Sequence, residues 1–141
     1  MTQVNVDIQQ ILPHRYPMLL IDRVVALEAG KSCSAIKNIT NNEAVVQGYA
    51  KGPARYPQML MVESLAQTGA VALLSLPEFA GHIAFFGGIE KAAFSGWATP
   101  GDTLEIAVEL TKLRQNAGVG EGTVSVDGQV ICSATITFMV S

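Results

Sequence analysis

The second half of the chain alternates apolar and polar residues and therefore predicts antiparallel strands. From residue 104 to residue 111, even positions carry Leu, Ile, Val and Leu, while odd positions carry Glu, Ala, Glu and Thr. This period of two is typical of a strand with one buried face. Residues 119–126 and 129–140 predict two more strands, and Asp127 with Gly128 between them favours a tight hairpin. The expected inward positions of the last strand are Val130, Cys132, Ala134, Ile136, Phe138 and Val140.

A different pattern marks residues 59–75, which are apolar around nearly the whole circumference of a helix. A helix that is apolar on all sides is a buried helix, and Pro57 favours a helix start just before it. Glu63 and Gln67 stand four positions apart on one face. They belong to the only polar strip of this helix, which consists of Glu63, Ser64, Gln67 and Thr68.

Shorter elements precede and follow this central helix. Residues 6–12 predict a helix of about two turns, with Asn5 as its N-cap and Pro13 at its end. Four other extended segments are expected. The first begins at residue 19 and ends before a turn at Gly30, and the second and third cover residues 32–39 and 45–49. The fourth follows Pro77 and is interrupted at Gly87 and Gly88.

One long apolar helix among several antiparallel strands predicts an α+β fold in which a sheet curls around the helix. No repeat, low-complexity stretch or linker divides the sequence, so residues 1–141 are expected to form a single domain. A sheet of this kind has open edges, which proteins cover safely by pairing with a second subunit. A dimer is therefore expected.

Composition points to the same association. The chain has 9 Lys and Arg and 12 Asp and Glu, so 15% of its residues are charged and 49% are hydrophobic. A soluble domain usually carries about a quarter charged residues, and part of this surface is therefore expected to be buried against another copy. The net charge of −3 and the lack of a basic stripe argue against a nucleic-acid partner.

Neither a membrane span nor a bound cofactor is expected. No apolar run approaches the roughly 18 residues of a spanning helix, and the N-terminus does not resemble a secretory signal, so a cytoplasmic protein is expected. Cys33 and Cys132 are interpreted as buried thiols. Because His14 and His82 are far apart and no Gly-rich phosphate loop is present, neither a metal site nor a cofactor is predicted.

Two residues are candidates for chemistry. Glu63 places a carboxylate on an otherwise apolar helix, where burial prepares such a group for general acid or base work. Alternatively, Glu63 lies near a wet helix start and complements the positive end of the helix dipole. His14 lies between Pro13 and Pro17, in a rigid turn that presents the imidazole to a pocket or lets it cap a neighbouring carbonyl group.

Several stretches of the sequence resemble one enzyme family. The stretch LPHRYPMLLIDRV at residues 12–24 closely resembles the N-terminal signature of the FabZ-type 3-hydroxyacyl-(acyl carrier protein) dehydratases. The resemblance covers nearly the whole chain and implies the hot-dog fold, in which a sheet wraps a long central helix and two subunits join their sheets. Further similar stretches are KNITNNE at 37–43, VESLAQ at 62–67, GIEKA at 88–92, TPGD at 99–102 and VDGQV at 126–130.

The resemblance also implies a reaction. In that family, water is removed from a 3-hydroxyacyl thioester on the phosphopantetheine arm of acyl carrier protein, which gives the trans-2-enoyl thioester. A histidine and a glutamate from different subunits share the proton transfers, and a backbone N–H of the central helix polarises the thioester carbonyl. Glu63 matches the glutamate of the family, and the N–H group falls near Gly69 or Ala70.

The catalytic histidine of the family has no counterpart here. It belongs to a Gly-His-Phe-Pro segment before the central helix, and the matching stretch of this chain reads GYAKGPARYPQ at residues 48–58. Tyr49 replaces the histidine, and a phenol, whose ordinary pKa is about 10, is a poor base at neutral pH. His14 belongs to the other, N-terminal signature and does not simply inherit the role.

Three functions are compatible with this departure. In the first, the chain is a dehydratase with an altered pair of catalytic residues, in which His14 or a water molecule held by Tyr49 replaces the missing base. In the second, it is one subunit of a heterodimer, and a histidine-bearing homologue completes a site with Glu63. In the third, it is a hot-dog acyl thioesterase, in which Glu63 activates water, or a protein that binds acyl chains without chemistry.

The resemblance further implies a tunnel for the acyl chain at the dimer interface. It also implies an acidic carrier protein as partner, recognised by basic residues, and a homodimer or a higher oligomer of dimers. The residues expected to bind substrate are Met59, Leu60, Gly69, Ala70, Phe85, Phe86 and Ile89. The residues expected to contact the carrier protein are Arg15, Lys91, Lys112 and Arg114.

Overall fold

One antiparallel sheet wraps a long helix in the computed structural model, which describes residues 4–48 and 51–141. The helices are α1 (Ile8–Ile11) and α2 (Gln58–Leu74), and short 3-10 turns cover Ala44–Val46 and Pro77–Phe79. The strands are β1 (Arg23–Glu28), β2 (Ser32–Asn38), β3 (Ala84–Phe94), β4 (Thr103–Arg114), β5 (Ala117–Val126) and β6 (Gln129–Val140). The predicted α+β class is therefore confirmed.

The strand order across the sheet is β1-β2-β4-β5-β6-β3, with every neighbouring pair antiparallel, so β1 and β3 form its two edges. The predicted hairpin between β5 and β6 is confirmed, since Asp127 and Gly128 have φ values of 50° and 80°, as a tight hairpin turn with two left-handed residues requires. The alternation along β4 is confirmed as well, because Leu104, Ile106 and Val108 are buried.

Helix α2 packs against the inner face of the sheet, and nearly all of its residues from Met61 onward are buried. The approach is close because β5 carries glycine where helix side chains meet it. A Cβ atom at Gly122 would lie 2.6 Å from Leu65 Cδ2 and 2.8 Å from the backbone oxygen of Ala107. The absence of a side chain at this position therefore creates the space that Leu65 fills.

The N-terminal elements differ from the sequence prediction. The N-cap of α1 is Asp7 rather than Asn5, and its carboxylate accepts a hydrogen bond from the Gln9 N–H at 3.1 Å. Strand β1 begins at Arg23 rather than at residue 19, because the Leu20 N–H donates to a side chain of α2 instead of to a neighbouring strand.

The extended segment predicted at residues 45–49 is wrong as well, and residue 49 lies outside the described residues. Val45 and Val46 belong to the 3-10 turn Ala44–Val46, and residues 47 and 48 form a bend after it. The inward position predicted for Val130 is also wrong, since this side chain is 47% exposed. Val124 pairs with Cys132 and Ser125 with Val130, so Ile131 is an extra residue in β6. This bulge shifts the alternation by one position before the turn.

The interruption predicted at Gly87 and Gly88 is a shift in register rather than the end of a strand. β3 runs continuously from Ala84 to Phe94, and its pairing with β6 shifts between Phe86 and Gly88. A bulge of this kind bends an edge strand and increases its twist.

The outer face of the sheet is acidic at its centre. Glu109 of β4 pairs directly with Glu121 of β5, and Glu105 lies farther along β4 on the same face. These side chains alternate with the buried residues of the inner face, and they are exposed. Like charges on directly opposite residues repel each other, so the centre of this face carries negative charge, and Lys91 of β3 lies on the same face nearby.

Cys33 and Cys132 are buried free thiols, as predicted from the sequence. Burial raises the pKa of Cys33 from 9.0 to about 12 and that of Cys132 to about 11.

Since the thiolate is the nucleophile, we expect both thiols to resist iodoacetamide at pH 8.5 in the folded protein and to react in urea. Rapid alkylation without urea would contradict this burial.

The same shifts make a prediction about stability against pH. Above about pH 9 the thiols ionise in the unfolded chain but not in the folded one, so the free energy of unfolding falls as pH rises toward 12. Urea denaturation at a series of pH values should show that the free energy of unfolding declines less steeply with pH for the Cys33→Ala/Cys132→Ala variant than for the original chain.

We predict that Gly122→Ala lowers the free energy of unfolding by about 2 kcal/mol or more, because the added methyl group meets both Leu65 and rigid backbone. Gly118→Ala is the matched control on the same strand, since a Cβ atom there makes only ordinary contacts, the nearest at 3.4 Å. Urea denaturation of the two variants tests this. Equal stabilities of the two variants would mean that the packing of α2 does not require a glycine at position 122.

Candidate active site

The loop after α1 presents His14 at the inner face of the fold. The Arg15 guanidinium fixes this loop, because it donates to the backbone oxygens of Leu12 at 2.8 Å, His14 at 2.7 Å and Gln9 at 2.9 Å. Arg15 therefore holds the carbonyl groups on both sides of the turn. Its expected contact with a carrier protein stays a prediction, but this arginine also has a clear local role.

His14 meets Glu63 within the same chain. The distance from His14 Nε2 to Glu63 Oε1 is 3.5 Å, and the two side chains are 27% and 19% exposed. This separation is long for a hydrogen bond but close for an imidazole and a carboxylate. The loop signature and the central helix, 49 residues apart in sequence, thus supply two polar groups to one place.

Gln67 holds the carboxylate in that place. Its Nε2 donates to Glu63 Oε1 at 3.0 Å and to the backbone oxygen of Met18 at 2.7 Å, and its Oε1 accepts from the Leu20 N–H at 2.8 Å. Sequence reasoning placed Gln67 on the polar strip but missed this role. The signal that pointed to it was its position one helical turn after Glu63.

The hydrogen-bond pattern indicates which atoms remain available. His14 Nδ1 is buried and has no partner among the described residues, so the tautomer that places the hydrogen on Nε2, facing Glu63, leaves no buried donor unsatisfied. Both neighbours of the carboxylate then converge on Oε1. No donor within residues 4–48 and 51–141 bonds to Glu63 Oε2, which is therefore the oxygen that can receive a proton.

A small cavity of about 40 Å³ lies beside this carboxylate. Apolar side chains of α2, β3 and β6 form most of its wall. Of the predicted site residues, Glu63, His14, Ala70, Phe85 and Phe86 are brought together here. The complete lining is His14, Glu63, Ala66, Gln67, Ala70, Ala84, Phe85, Phe86 and Phe138.

Other predicted substrate residues lie elsewhere. Met59 is exposed in the first turn of α2, and Ile89 is exposed farther along β3. Gly69 faces the sheet rather than the cavity, since a Cβ atom there would lie 2.6 Å from Phe138 Cζ. Leu60 is half-buried and also lies outside the lining. Their roles stay predictions, and Tyr49 lies outside the described residues.

The predicted N–H donor near Gly69 or Ala70 belongs to the interior of α2. In an α-helix such N–H groups already donate to the carbonyl four residues earlier, and only those of the first turn are left without a helical partner. A thioester carbonyl at Ala70 would therefore share a donor that is already used.

The predicted carrier-contact residues of the sheet are all exposed. Lys91 lies on edge strand β3, while Lys112 and Arg114 lie at the end of β4. None of the three lines the cavity, although Lys91 shares β3 with the lining residues Phe85 and Phe86. Their contact with a carrier protein stays a prediction.

A buried polar cluster supports the segment that leads into α2. Lys37 and Glu43 form an ion pair at 2.7 Å, and the Lys37 ammonium lies 5.8 Å from the centre of the Tyr56 ring. The Tyr56 hydroxyl is 3.3 Å from Ser64 Oγ. Burial is the main cause that raises the pKa of Tyr56 far above its ordinary value, although the Ser64 bond opposes it. Tyr56 is therefore a neutral structural residue rather than a base.

In the part of the chain that the structure describes, no three His, Cys, Asp or Glu side chains come together as a metal site would require. Nor does any described helix have the length and apolarity needed to cross a membrane.

Comparison with protein families and curated proteins gives one consistent result. The model of the FabA-like domain matches residues 12–135. The 3-hydroxyacyl-[acyl-carrier-protein] dehydratase FabZ of Latilactobacillus sakei is 52% identical over 134 residues, which cover 95% of this chain and 96% of the relative. The FabZ dehydratase of Enterococcus faecalis is also 52% identical, over 95% of each chain.

Solved structures with a similar fold are more distant in sequence. The dehydratase heterocomplex ApeI:P of Xenorhabdus doucetiae has a TM-score of 0.83 at 18% identity, with 98% of this chain and 93% of that chain covered. Conserved protein PA5202 of Pseudomonas aeruginosa has a TM-score of 0.72 at 13% identity, with 94% and 98% covered. These similarities confirm the hot-dog fold.

We predict that Gln67→Leu lowers the free energy of unfolding by about 2 to 4 kcal/mol, because it leaves the buried Leu20 N–H and the part-buried Met18 oxygen unsatisfied. Gln47→Leu is the control, since Gln47 is exposed and makes a single bond to Asn41. Urea denaturation measures both. A loss below about 1 kcal/mol for Gln67→Leu would contradict the central place of this side chain.

Proposed function

Since the chain belongs to the FabA-like family and, within it, to the FabZ 3-hydroxyacyl-[acyl-carrier-protein] dehydratases, we propose that it converts a 3-hydroxyacyl thioester to the trans-2-enoyl thioester. The substrate is carried by acyl carrier protein, as the names of the relatives state for those enzymes. The observation that supports this most directly is the Glu63 carboxylate, held by Gln67 and His14 beside an apolar cavity.

Glu63 is the group that moves the protons. Oε2 removes a proton from C2 of the thioester, and the electron pair left on C2 is delocalised onto the thioester oxygen. That pair then forms the C2–C3 double bond as the bond from C3 to the hydroxyl oxygen breaks. The protonated Glu63 returns its proton to the departing hydroxyl group, so water leaves and the carboxylate is restored.

His14 replaces part of what the missing histidine supplies. Its Nε2 lies 3.5 Å from Glu63 Oε1, the oxygen that also accepts a hydrogen bond from Gln67. Gln67 holds Oε1, and no described donor bonds to Oε2, so Oε2 is the oxygen left to meet the substrate. A carboxylate that accepts and returns one proton needs no second base, which is compatible with Tyr49 at the family's histidine position.

Two subunits are part of this proposal. β3 pairs only with β6 among the described strands, and Phe85, Phe86 and Ile89 on it are exposed. An exposed strand edge with large apolar residues is a surface that a second subunit covers. We infer a homodimer joined through β3, in which the partner closes the open side of the cavity. The cytoplasmic location expected from the sequence stays a prediction.

A heterodimer is the second candidate, and the substitution at Tyr49 favours it. In that arrangement a homologue that keeps the histidine contributes it across β3 and completes a site with Glu63. The Xenorhabdus doucetiae structure is a dehydratase heterocomplex by its own description.

The purified chain is expected to convert 3-hydroxybutyryl carrier protein to the crotonyl product by itself, measured by mass spectrometry of the carrier protein. Glu63→Gln should lower kcat by about a hundredfold or more, because it removes the group that transfers protons. His14→Ala should lower kcat by about tenfold, the scale of one polar contact to a charged group, because it removes the imidazole beside Glu63 Oε1. Glu28→Gln, which changes an exposed carboxylate of β1, is the control and should keep full activity.

Each other outcome favours a different function. Product that forms only after a co-encoded, histidine-bearing homologue is added supports the heterodimer. Free thiol released from the acyl thioester supports a thioesterase. Activity that survives Glu63→Gln unchanged would overturn the catalytic assignment.

A further inference from the structure

We propose that Phe138 closes the cavity beside Glu63 and thereby limits the acyl group that this chain accepts to short chains. The inference rests on the proposed function, because it concerns the substrate of the same site. It identifies a specificity-determining residue on β6, the last strand of the sheet.

Two glycines leave the space that holds the side chain of Phe138. Its side chain is 2% exposed, and its ring lies against Gly69 of α2 and Gly120 of β5. A Cβ atom at Gly69 would lie 2.6 Å from Phe138 Cζ, and one at Gly120 would lie 3.0 Å from Phe138 Cε2. The helix and the strand thus leave one slot between them, and the phenyl ring fills it.

The cavity follows one face of α2. Glu63, Ala66 and Ala70 line it at spacings of three and four residues, so it extends over two helical turns, or about 10 Å. The proton-transferring carboxylate lies at one end, and two alanines leave space along the path. An acyl chain whose C2 atom is at Glu63 would run along this face toward Ala70 and Phe138.

Three phenylalanines line the cavity, and those of the edge strand, Phe85 and Phe86, differ in freedom from Phe138. Phe86 pairs with Phe138 across β3 and β6, and it is 43% exposed on the edge strand. A side chain of that kind can move aside at little cost. Phe138 cannot, because the slot formed by Gly69 and Gly120 surrounds its ring and close packing resists displacement.

The position of the phenyl ring agrees with a short substrate. Phe138 lines the cavity together with Ala70, at the end away from Glu63, and the space between them is narrow, with a volume of about 40 Å³. Removal of the Phe138 ring would extend the cavity between α2 and β5, in the direction that a longer chain requires.

The test compares butyryl with decanoyl substrates in the original chain and in Phe138→Leu. We expect the original chain to prefer 3-hydroxybutyryl carrier protein, and we expect Phe138→Leu to raise the decanoyl to butyryl ratio of kcat/KM at least tenfold. Phe79→Leu is the matched control, because Phe79 is buried but does not line the cavity. An unchanged ratio in a folded Phe138→Leu variant overturns the inference, and Phe138→Met takes its place if the leucine variant does not fold.

A second variant works in the opposite direction. The methyl group of Gly69→Ala would push the ring of Phe138 into the cavity, so this variant should bind even the butyryl group more weakly. Combining Gly69→Ala with Phe138→Leu should restore butyryl binding. If the losses of butyryl affinity in the two single variants simply add in the double variant, Gly69 and Phe138 do not share one slot.

Equilibrium binding separates this inference from the proposed function. Calorimetry with saturated butyryl- and decanoyl-pantetheine, which contain no hydroxyl group to eliminate, reports the cavity without any turnover. If no substrate is dehydrated but Phe138→Leu gains decanoyl binding, the proposed function fails and the role of Phe138 stands. If dehydration occurs and the binding preference does not change, the role of Phe138 is wrong and the function stands.

Discussion

The buried amide of Gln67 is the interaction on which the site depends. An amide group without partners is costly in an apolar interior, and this one is satisfied by the backbone of residues 18 and 20 and by Glu63. The same side chain therefore joins the N-terminal loop to the central helix and orients the carboxylate. If the helix shifted along its axis, both bonds to the N-terminal segment would break together, while Gln67 and Glu63 would move as a pair. The position of Glu63 is therefore tied to the packing of that segment.

Elements whose residues interact locally could be predicted from the sequence. The alternation along β4, the Asp127–Gly128 turn and the apolar helix each follow from neighbours in the chain, and each was predicted correctly. Val130 could not be predicted, because the bulge at Ile131 arises where β6 pairs with β5. The start of β1 was missed for a related reason, since the polar groups before it bond to a helix side chain 47 residues away.

In the candidate site as well, single residues could be predicted from the sequence, but the contacts between distant residues could not. Glu63 was conspicuous because a carboxylate is rare on an apolar helix, and His14 was conspicuous because two prolines flank it. Their proximity, with 3.5 Å between the nitrogen and the oxygen, had no signal in the spacing of the sequence. Phe138 was expected only as a core residue, because its relation to Gly69 and Gly120 depends on how closely the helix approaches the sheet.

The acidic outer face has a consequence for encounters between molecules. Glu109 and Glu121 repel each other within the sheet, and together with Glu105 they also repel any other negatively charged protein that approaches from that side. Lys91 lies on the same face toward the β3 edge, so such a protein meets repulsion at the centre of the sheet and attraction near that edge. The repulsion costs some stability in the sheet, and it makes approach to this face depend on direction.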